Sequence, residues 1–323
     1  FSHVFPYDMR PQGHDIIRTW LFSTMVRSHH EHGVAPWRHA ALSGWILDPD
    51  RKKMSKSKGN VVTPIDLLEQ YGTDAIRYWA ASGRPGVDTA LDEGQMKVGR
   101  KLGTKLLNAS KFVLSFGEPP AGAVPTEAFD LAMLARLRSV VTDATNAFDS
   151  FDYARALETT EEFFWWFCDD YVELVKSRAY AIHGPVAAAS AQAALRQALH
   201  TVLRLFAPFI PFVTDEVWSW WREGSVHSQS WPALDSTIAM GDVDMLDPVC
   251  AVLAAIRRTK TEAKVSQKAA VALLVIASPG ATQALLEAAE GDLRDAGSVE
   301  AVQYEAGYAL TCAVELAPVT ETP

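Results

Sequence analysis

The sequence predicts an α/β segment, then an all-α segment, then a small C-terminal α/β unit. Three observations carry this. Short apolar runs alternate with helical periodicity up to about residue 80. A Pro/Gly-rich stretch, residues 117–126, precedes several long helical patterns. Strand-like runs return only after residue 246. With 323 residues, 48% of them hydrophobic, the chain is long enough for two or three domains.

Along the chain, residues 1–12 read as the end of a strand and its loop. Residues 13–30 read as a helix, with Ile16, Ile17, Trp20, Leu21, Thr24 and Met25 at helical spacing. Ala40 to Leu47 reads as one apolar strand, closed by the turn Asp48-Pro49-Asp50. Thr63-Pro64-Ile65-Asp66 opens a helix: Thr63 can cap, Pro64 suits the first turn, and Asp66 completes a capping box. Gly72 ends that helix, and Thr73 or Asp74 starts the next. The alternation suits the second half of a doubly wound, Rossmann-like nucleotide-binding domain.

Residues 90–116 read as a helix that sets Lys97, Lys101 and Lys105 on one face. Helices are then expected over roughly 127–150, 152–182, 186–206 and 212–222, with a loop at 223–245. The aromatic run Phe163 to Phe167 covers more than one helix face, which favours core packing over a base-stacking platform. The last unit reads as a basic helix over 246–264, a strand Ala270 to Ala277, a helix Ala281 to Glu290 and one or two strands up to Leu316. Lys260, Lys264 and Lys268 repeat at a spacing of four, as a solvated face or as contacts to RNA.

Composition narrows the function classes. No apolar run approaches the roughly 20 residues of a membrane span. Cys168, Cys250 and Cys312 are far apart and form neither a zinc-like pair nor a disulfide framework, so a cytoplasmic protein is expected. The net charge of −9 argues against nucleic-acid binding by bulk charge. It leaves room for a local basic track, because phosphate contacts act within about 8 Å at physiological salt. His29-His30-Glu31-His32 is a poor metal cluster, since adjacent helical histidines diverge and Gly33 ends the helix.

The most informative segment runs from Arg51 to Asn60. It carries five cationic side chains, with Lys53-Met54-Ser55-Lys56-Ser57 at its centre and Gly59-Asn60 at its close. Lysines at this density neutralise phosphate oxygens, the serines donate hydrogen bonds, and the Gly-Asn pair permits a tight turn. A solvated basic loop is the competing reading.

The order of these residues resembles the second ATP motif of class I aminoacyl-tRNA synthetases. Arg10-Pro11-Gln12-Gly13-His14-Asp15 resembles the Gly-x-Asp segment of the same family. Asn60-Val61-Val62-Thr63-Pro64 and Tyr71-Gly72-Thr73-Asp74 resemble the family's segments downstream of the lysine loop, and Glu162 to Tyr171 and Ala207 to Trp218 resemble its anticodon-binding helical domain. Within the class, Ile16-Ile17-Arg18-Thr19-Trp20 is closer to the valine-specific branch than to the isoleucine-specific one. The family's His-x-Gly-His motif is absent, Gly13-His14 is only a fragment of it, and the chain starts at Phe1. A C-terminal part of a longer enzyme is therefore expected, inactive alone, with the other half and an editing domain upstream.

The resemblance implies a division into a catalytic part at 1–80, a connecting helical region at 81–120, a helical anticodon-binding domain at 121–235 and a small α/β domain at 246–318. It implies ATP with Mg²⁺, valine and the valine tRNA as partners, without a membrane. Lys53 and Lys56 would stabilise phosphate charge as valine attacks the α-phosphorus, with Met54, Ser55 and Ser57 completing the ATP site. No carboxylate pair stands out as a Mg²⁺ ligand. Gly13 and Asp15 would hold the ATP ribose, although an acidic residue at a helix start is a sufficient account of Asp15. Gly44, Trp45 and Ile46 would offer backbone groups to adenine. Trp20 would wall the amino-acid pocket, against the alternative of a Trp buried in helix packing. Lys97, Lys101 and Lys105 would meet tRNA phosphates, or form an ordinary solvated face. Two other readings stay open: an isoleucine enzyme, and a non-catalytic tRNA-binding derivative.

Overall fold

The computed structural model describes residues 1–233 and 241–318. Residues 234–240, within the loop expected at 223–245, and 319–323 lie outside the described residues. Two compact units form. The first comprises Phe1–Leu107, Asp143–Thr159 and Phe206–Ser228; the second comprises Asn108–Thr142, Thr160–Leu205 and Gln229–Pro323.

The first unit begins with β1 (Tyr7–Gly13), a 3-10 turn (His14–Ile16) and a π turn (Ile17–Leu21), then α1 (Phe22–His32) and β2 (Trp37–Ser43). β1 and β2 pair in parallel, from Tyr7 opposite Trp37 to Gly13 opposite Ser43, so α1 is the crossover of a βαβ unit. The single helix expected at 13–30 is therefore two tight turns plus an α-helix. Its apolar stripe is not buried within this chain: Ile16, Trp20 and Met25 are 40–53% exposed.

The strand expected over Ala40–Leu47 is broken. β2 stops at Ser43, and β3 (Ile46–Leu47) joins a different sheet, pairing in parallel with β4 (Thr89–Ala90). The break lies at Gly44. A Cβ there would stand 2.2 Å from the Val87 carbonyl oxygen, so only glycine lets the two backbones pass.

α2 (Pro64–Tyr71) and α3 (Thr73–Ser82) come next, joined at Gly72, whose φ of 86° disfavours any other residue. Pro64 occupies the first turn as expected, but the Thr63 hydroxyl makes no capping bond. Leu67, Tyr71, Ala75 and Trp79 form a core with Met96 of α4 (Glu93–Leu114). The Asp74 carboxylate accepts from the backbone N–H groups of Phe212 (3.1 Å) and Val213 (2.8 Å), so it caps α9 (Pro211–Ser219) from far away in sequence.

The second unit is built mainly on α5 (Ala128–Asp149) up to Thr142, α6 (Tyr153–Trp166) from Thr160, α7 (Val172–Ala179) and α8 (Pro185–Phe206) up to Leu205. A π turn, Phe167–Tyr171, interrupts the helix expected over 152–182. Phe163, Phe164 and Phe167 are at most 2% exposed and form core, while Trp165 and Trp166 are half-buried. Arg178 lies in this core between two carboxylates, Asp130 and Asp292.

The C-terminal portion of this unit comprises α10 (Leu246–Glu262), β5 (Val271–Ser278), α11 (Gly280–Glu287), α12 (Glu290–Gly297), β6 (Val299–Ala306) and β7 (Thr311–Leu316). Strand order is β6-β5-β7; β5 runs parallel to β6 and antiparallel to β7. Helix α12 is an addition: the sequence led from a helix ending at Glu290 directly to strands. Lys260 is also not on a solvated face. It is 1% exposed and donates to the carbonyls of Gln267 (2.9 Å) and Gly297 (2.7 Å). Among the described residues no helix is long and apolar enough to cross a membrane.

Candidate functional site

The site grows from the C-terminal ends of β1 and β2, where the first unit turns its strands into loops. Gly13 ends β1 in extended backbone (φ −68°, ψ 140°), so its conformation does not require glycine. A Cβ would lie 2.9 Å from Asp15 Oδ1, the tip of an exposed side chain, so a larger residue would displace that carboxylate rather than the backbone. The glycine thus leaves room for the exposed Asp15 carboxylate beside the chain. His14 Nδ1 donates to the Ser43 carbonyl at 3.0 Å and ties the end of β1 to the end of β2.

The next layer is Trp45. Its ring centroid lies 4.6 Å from that of His14, and Lys53 Nζ sits 3.7 Å from it. Lys53, the indole and the imidazole, whose ring is tilted 45° to it, thus form a chain of contacts linking the lysine loop to the Gly13-His14-Asp15 turn. A cation on an indole face is a favourable electrostatic contact. The Trp45 backbone is engaged: its N–H donates to Asp88 Oδ1 (2.8 Å), and its carbonyl accepts from Thr89 N–H (2.9 Å). Any adenine contact from this strand therefore rests on the backbone of Gly44 and Ile46.

The loop doubles back through an antiparallel bridge between Leu47 and Lys53, and Lys56–Lys58 form one 3-10 turn. Gly59 closes it with a φ of 68°. Ser55 Oγ and Ser57 Oγ lie 3.3 Å apart. Met54 and Ser55 are half-buried, whereas Lys53, Lys56, Ser57 and Lys58 are exposed. This places several cationic and hydroxyl groups at the surface beside the strand ends, an arrangement suited to a polyphosphate.

Two residues expected only to form turns, Asp48 and Asn60, are bonded to each other across the loop. Asp48 accepts from Lys52 N–H and from the Asn60 side-chain amide, each at 2.7 Å. Those two donors hold its carboxyl below the usual carboxylate range. The signal available beforehand was only an Asp at the start of the loop and an Asn at its end.

Trp20 lies at the edge of a cavity of about 420 Å³ that also involves Arg10, Thr24 and Trp37, and the Arg10 guanidinium is 5.7 Å from its ring centroid. At 53% exposure, Trp20 is not a helix-packing residue of this chain. On α4, Lys97 and Lys101 are exposed and Lys105 is half-buried, opposite the fully buried Met96, Leu102 and Leu106. His29 and His30 contact each other edge to face, and His32 packs on Phe1 and Phe5. Among the described residues, no three His, Cys, Asp or Glu side chains gather as a metal site.

Comparison with known proteins places the sequence in a family. Residues 1–92 match the family model of class I tRNA synthetases (I, L, M and V), and residues 130–275 match that of the anticodon-binding domain of tRNA ligases. The chain belongs to the class I aminoacyl-tRNA synthetases. Its relatives are valine–tRNA ligases. That of Salinispora tropica is 55% identical over 98% of this chain, that of Thermobifida fusca 56% over 98%, and that of Tropheryma whipplei 46% over 98%. The chain spans 37–39% of the length of these three relatives. A solved LeuRS of Agrobacterium radiobacter K84, in a ternary complex with tRNA and LeuAMS, matches 96% of the chain and 39% of its own at 16% identity, with a TM-score of 0.54; that likeness concerns the fold.

Proposed function

We propose that this chain is the lysine-loop and anticodon-binding part of an enzyme that ligates valine to its tRNA. ATP is the co-substrate and an aminoacyl adenylate the intermediate. The observation that carries the proposal is the Lys53–Trp45–His14 contact chain, which sets the cationic loop beside the strand-to-helix turn. The three relatives carry valine in their names, which favours valine over isoleucine.

In this reading residues 1–80 are the latter half of a doubly wound nucleotide-binding domain, and 81–120 connect it to the helical anticodon-binding domain at 121–235. The unit at 246–318 completes the chain. Asp15 accepts from the ribose hydroxyls, and Gly44 and Ile46 present backbone to adenine. The exposed ammonium groups of Lys56 and Lys53 neutralise charge on the phosphates as the valine carboxylate attacks the α-phosphorus. Met54 anchors the loop, and Ser55 and Ser57 donate hydrogen bonds. Mg²⁺ arrives as the ion bound to the ATP phosphates, since no protein ligand for it is identified. Trp20 flanks the amino-acid pocket, and Lys97, Lys101 and Lys105 face the tRNA backbone.

The test is valine-dependent ATP–pyrophosphate exchange by the complete enzyme, beside the same assay with isoleucine. Exchange with valine that Lys56→Ala lowers by about 100- to 1,000-fold is expected. Exchange unaffected by Lys56→Ala, or driven equally by isoleucine, would refute the assignment.

A further inference from the structure

Within the lysine loop, one side chain spans the backbone on either side of Met54. Asn60 Nδ2 donates to the Lys53 carbonyl at 3.3 Å, and Asn60 Oδ1 accepts from Ser55 N–H at 3.0 Å. The same Nδ2 donates to Asp48 Oδ2 at 2.7 Å. Asp48 is only 6% exposed, and its other oxygen accepts from Lys52 N–H at 2.7 Å. The start of the loop, its centre and its end are thus clasped by two side chains that carry none of its positive charge. The turn beyond Ser55 is local: Lys58 N–H donates to the Ser55 carbonyl (3.1 Å) and Gly59 N–H to that of Lys56 (3.2 Å). Those bonds shape the turn, and the Asn60 clasp orients it on the strand.

We propose that Asn60, held by Asp48, is the positioning residue of the lysine loop, setting the direction in which Lys56 leaves Ser55 toward the phosphates without itself touching the nucleotide. The inference rests on the assignment of Lys56 to the ATP phosphates. Its physical basis is that a long, solvated ammonium stabilises a transition state only when its stem is aimed, and a displacement near 1 Å costs on the order of 100-fold in rate. At neutral pH Asp48 is a full acceptor, because the Lys52 N–H and the Asn60 amide favour its ionised form.

The test is a double-mutant cycle in the complete enzyme, read by valine-dependent ATP–pyrophosphate exchange. Asn60→Ala is expected to lower kcat by about 10- to 100-fold, with KM for valine and tRNA affinity unchanged. In a Lys56→Ala background the same change should cost less than about two-fold, because no ammonium remains to be aimed. The exchanged pair D48N/N60D, which reverses donor and acceptor, should recover part of the loss from Asn60→Asp alone. Should Asn60→Ala also lower Tm, the isosteric Asn60→Asp carries the same comparison. Equal losses from the Asn60 change in both backgrounds, or full exchange by Asn60→Ala while Lys56→Ala is strongly impaired, would overturn the positioning role and leave the Lys56 assignment standing. Full exchange by Lys56→Ala would remove both.

Discussion

The Lys53 ammonium lies 3.7 Å from the centroid of the Trp45 ring, and the His14 imidazole lies 4.6 Å from that same ring. A cationic loop thus rests on the indole that borders the strand-to-helix turn. The contact is worth about 0.5–2 kcal/mol, so it biases the loop without locking it. Replacing Trp45 by Leu should free the loop. Tryptic cleavage between Arg51 and Lys58 in ligand-free protein is expected to become about 2- to 10-fold faster, whereas Trp45→Phe, which keeps a ring, should change it less. Equal cleavage of all three forms would show that the Lys53–Trp45 contact does not hold the loop.

Lys56 makes a second prediction, on energy. By analogy with loss of one transition-state donor, Lys56→Ala in the complete enzyme should cost about 3–4 kcal/mol in kcat for adenylate formation. Binding of tRNA should be unaffected, because Lys56 is assigned to ATP phosphates. A filter-binding measurement beside the exchange assay separates the two.

Arg178 carries a stability prediction for the second unit. Its guanidinium bonds both Asp130 oxygens at 2.6 and 2.9 Å and both Asp292 oxygens at 2.8 and 2.9 Å. Asp130 is fully buried and Asp292 nearly so. Tyr171 Oη and Ser190 Oγ also donate to Asp130, each at 2.6 Å. Arg178→Met leaves two buried carboxylates without their cation and should destabilise the unit by about 3–5 kcal/mol in urea titration.

Lys260 separates a buried lysine from its exposed repeats. Lys260→Ala leaves the carbonyls of Gln267 and Gly297 without their donor and opens a cavity, so a loss of about 2–4 kcal/mol is expected. Lys264→Ala and Lys268→Ala, at exposed positions of the same spacing, should stay within about 0.5 kcal/mol. Thermal melts of the three variants decide it.

Cys250 gives a pH dependence. Burial pushes its thiol from 9.0 up to about 11, although the Trp166 Nε1–H donates to its sulfur at 3.3 Å. The native state therefore keeps the neutral thiol where the unfolded chain ionises. Stability from this group is complete below about pH 9 and is lost as the pH rises toward 11. Thiol-reagent kinetics at pH 8 should show Cys250 reacting far more slowly in folded than in urea-unfolded protein.

Much of this architecture was legible wherever the cause is local. Pro64 in a first turn, Gly72 between two helices, the Pro/Gly linker and the long helices arise from backbone preferences within a few residues. The lysine loop was legible because its chemistry is written in consecutive residues. The break at Gly44 was not, since it depends on the Val87 backbone approaching from a distant part of the chain. Asp74 read as a helix start, but its carboxylate caps a helix 138 and 139 positions away. Helix α12 was not expected, and the partner of its Asp292 is Arg178, 114 residues distant.

Sequence alone determined the class of chemistry: cationic and hydroxyl side chains in a turn-forming order, with amphipathic helices after them, need no distant partner to be recognised. Tertiary structure alone decided which charges work at the surface and which are consumed inside. Lys53 and Lys260 are the same residue type; one lies on an indole at the surface and the other bonds two buried carbonyls. The reason is physical. Charge is a property of the side chain, but its desolvation and its partners are set by whatever the rest of the chain packs around it.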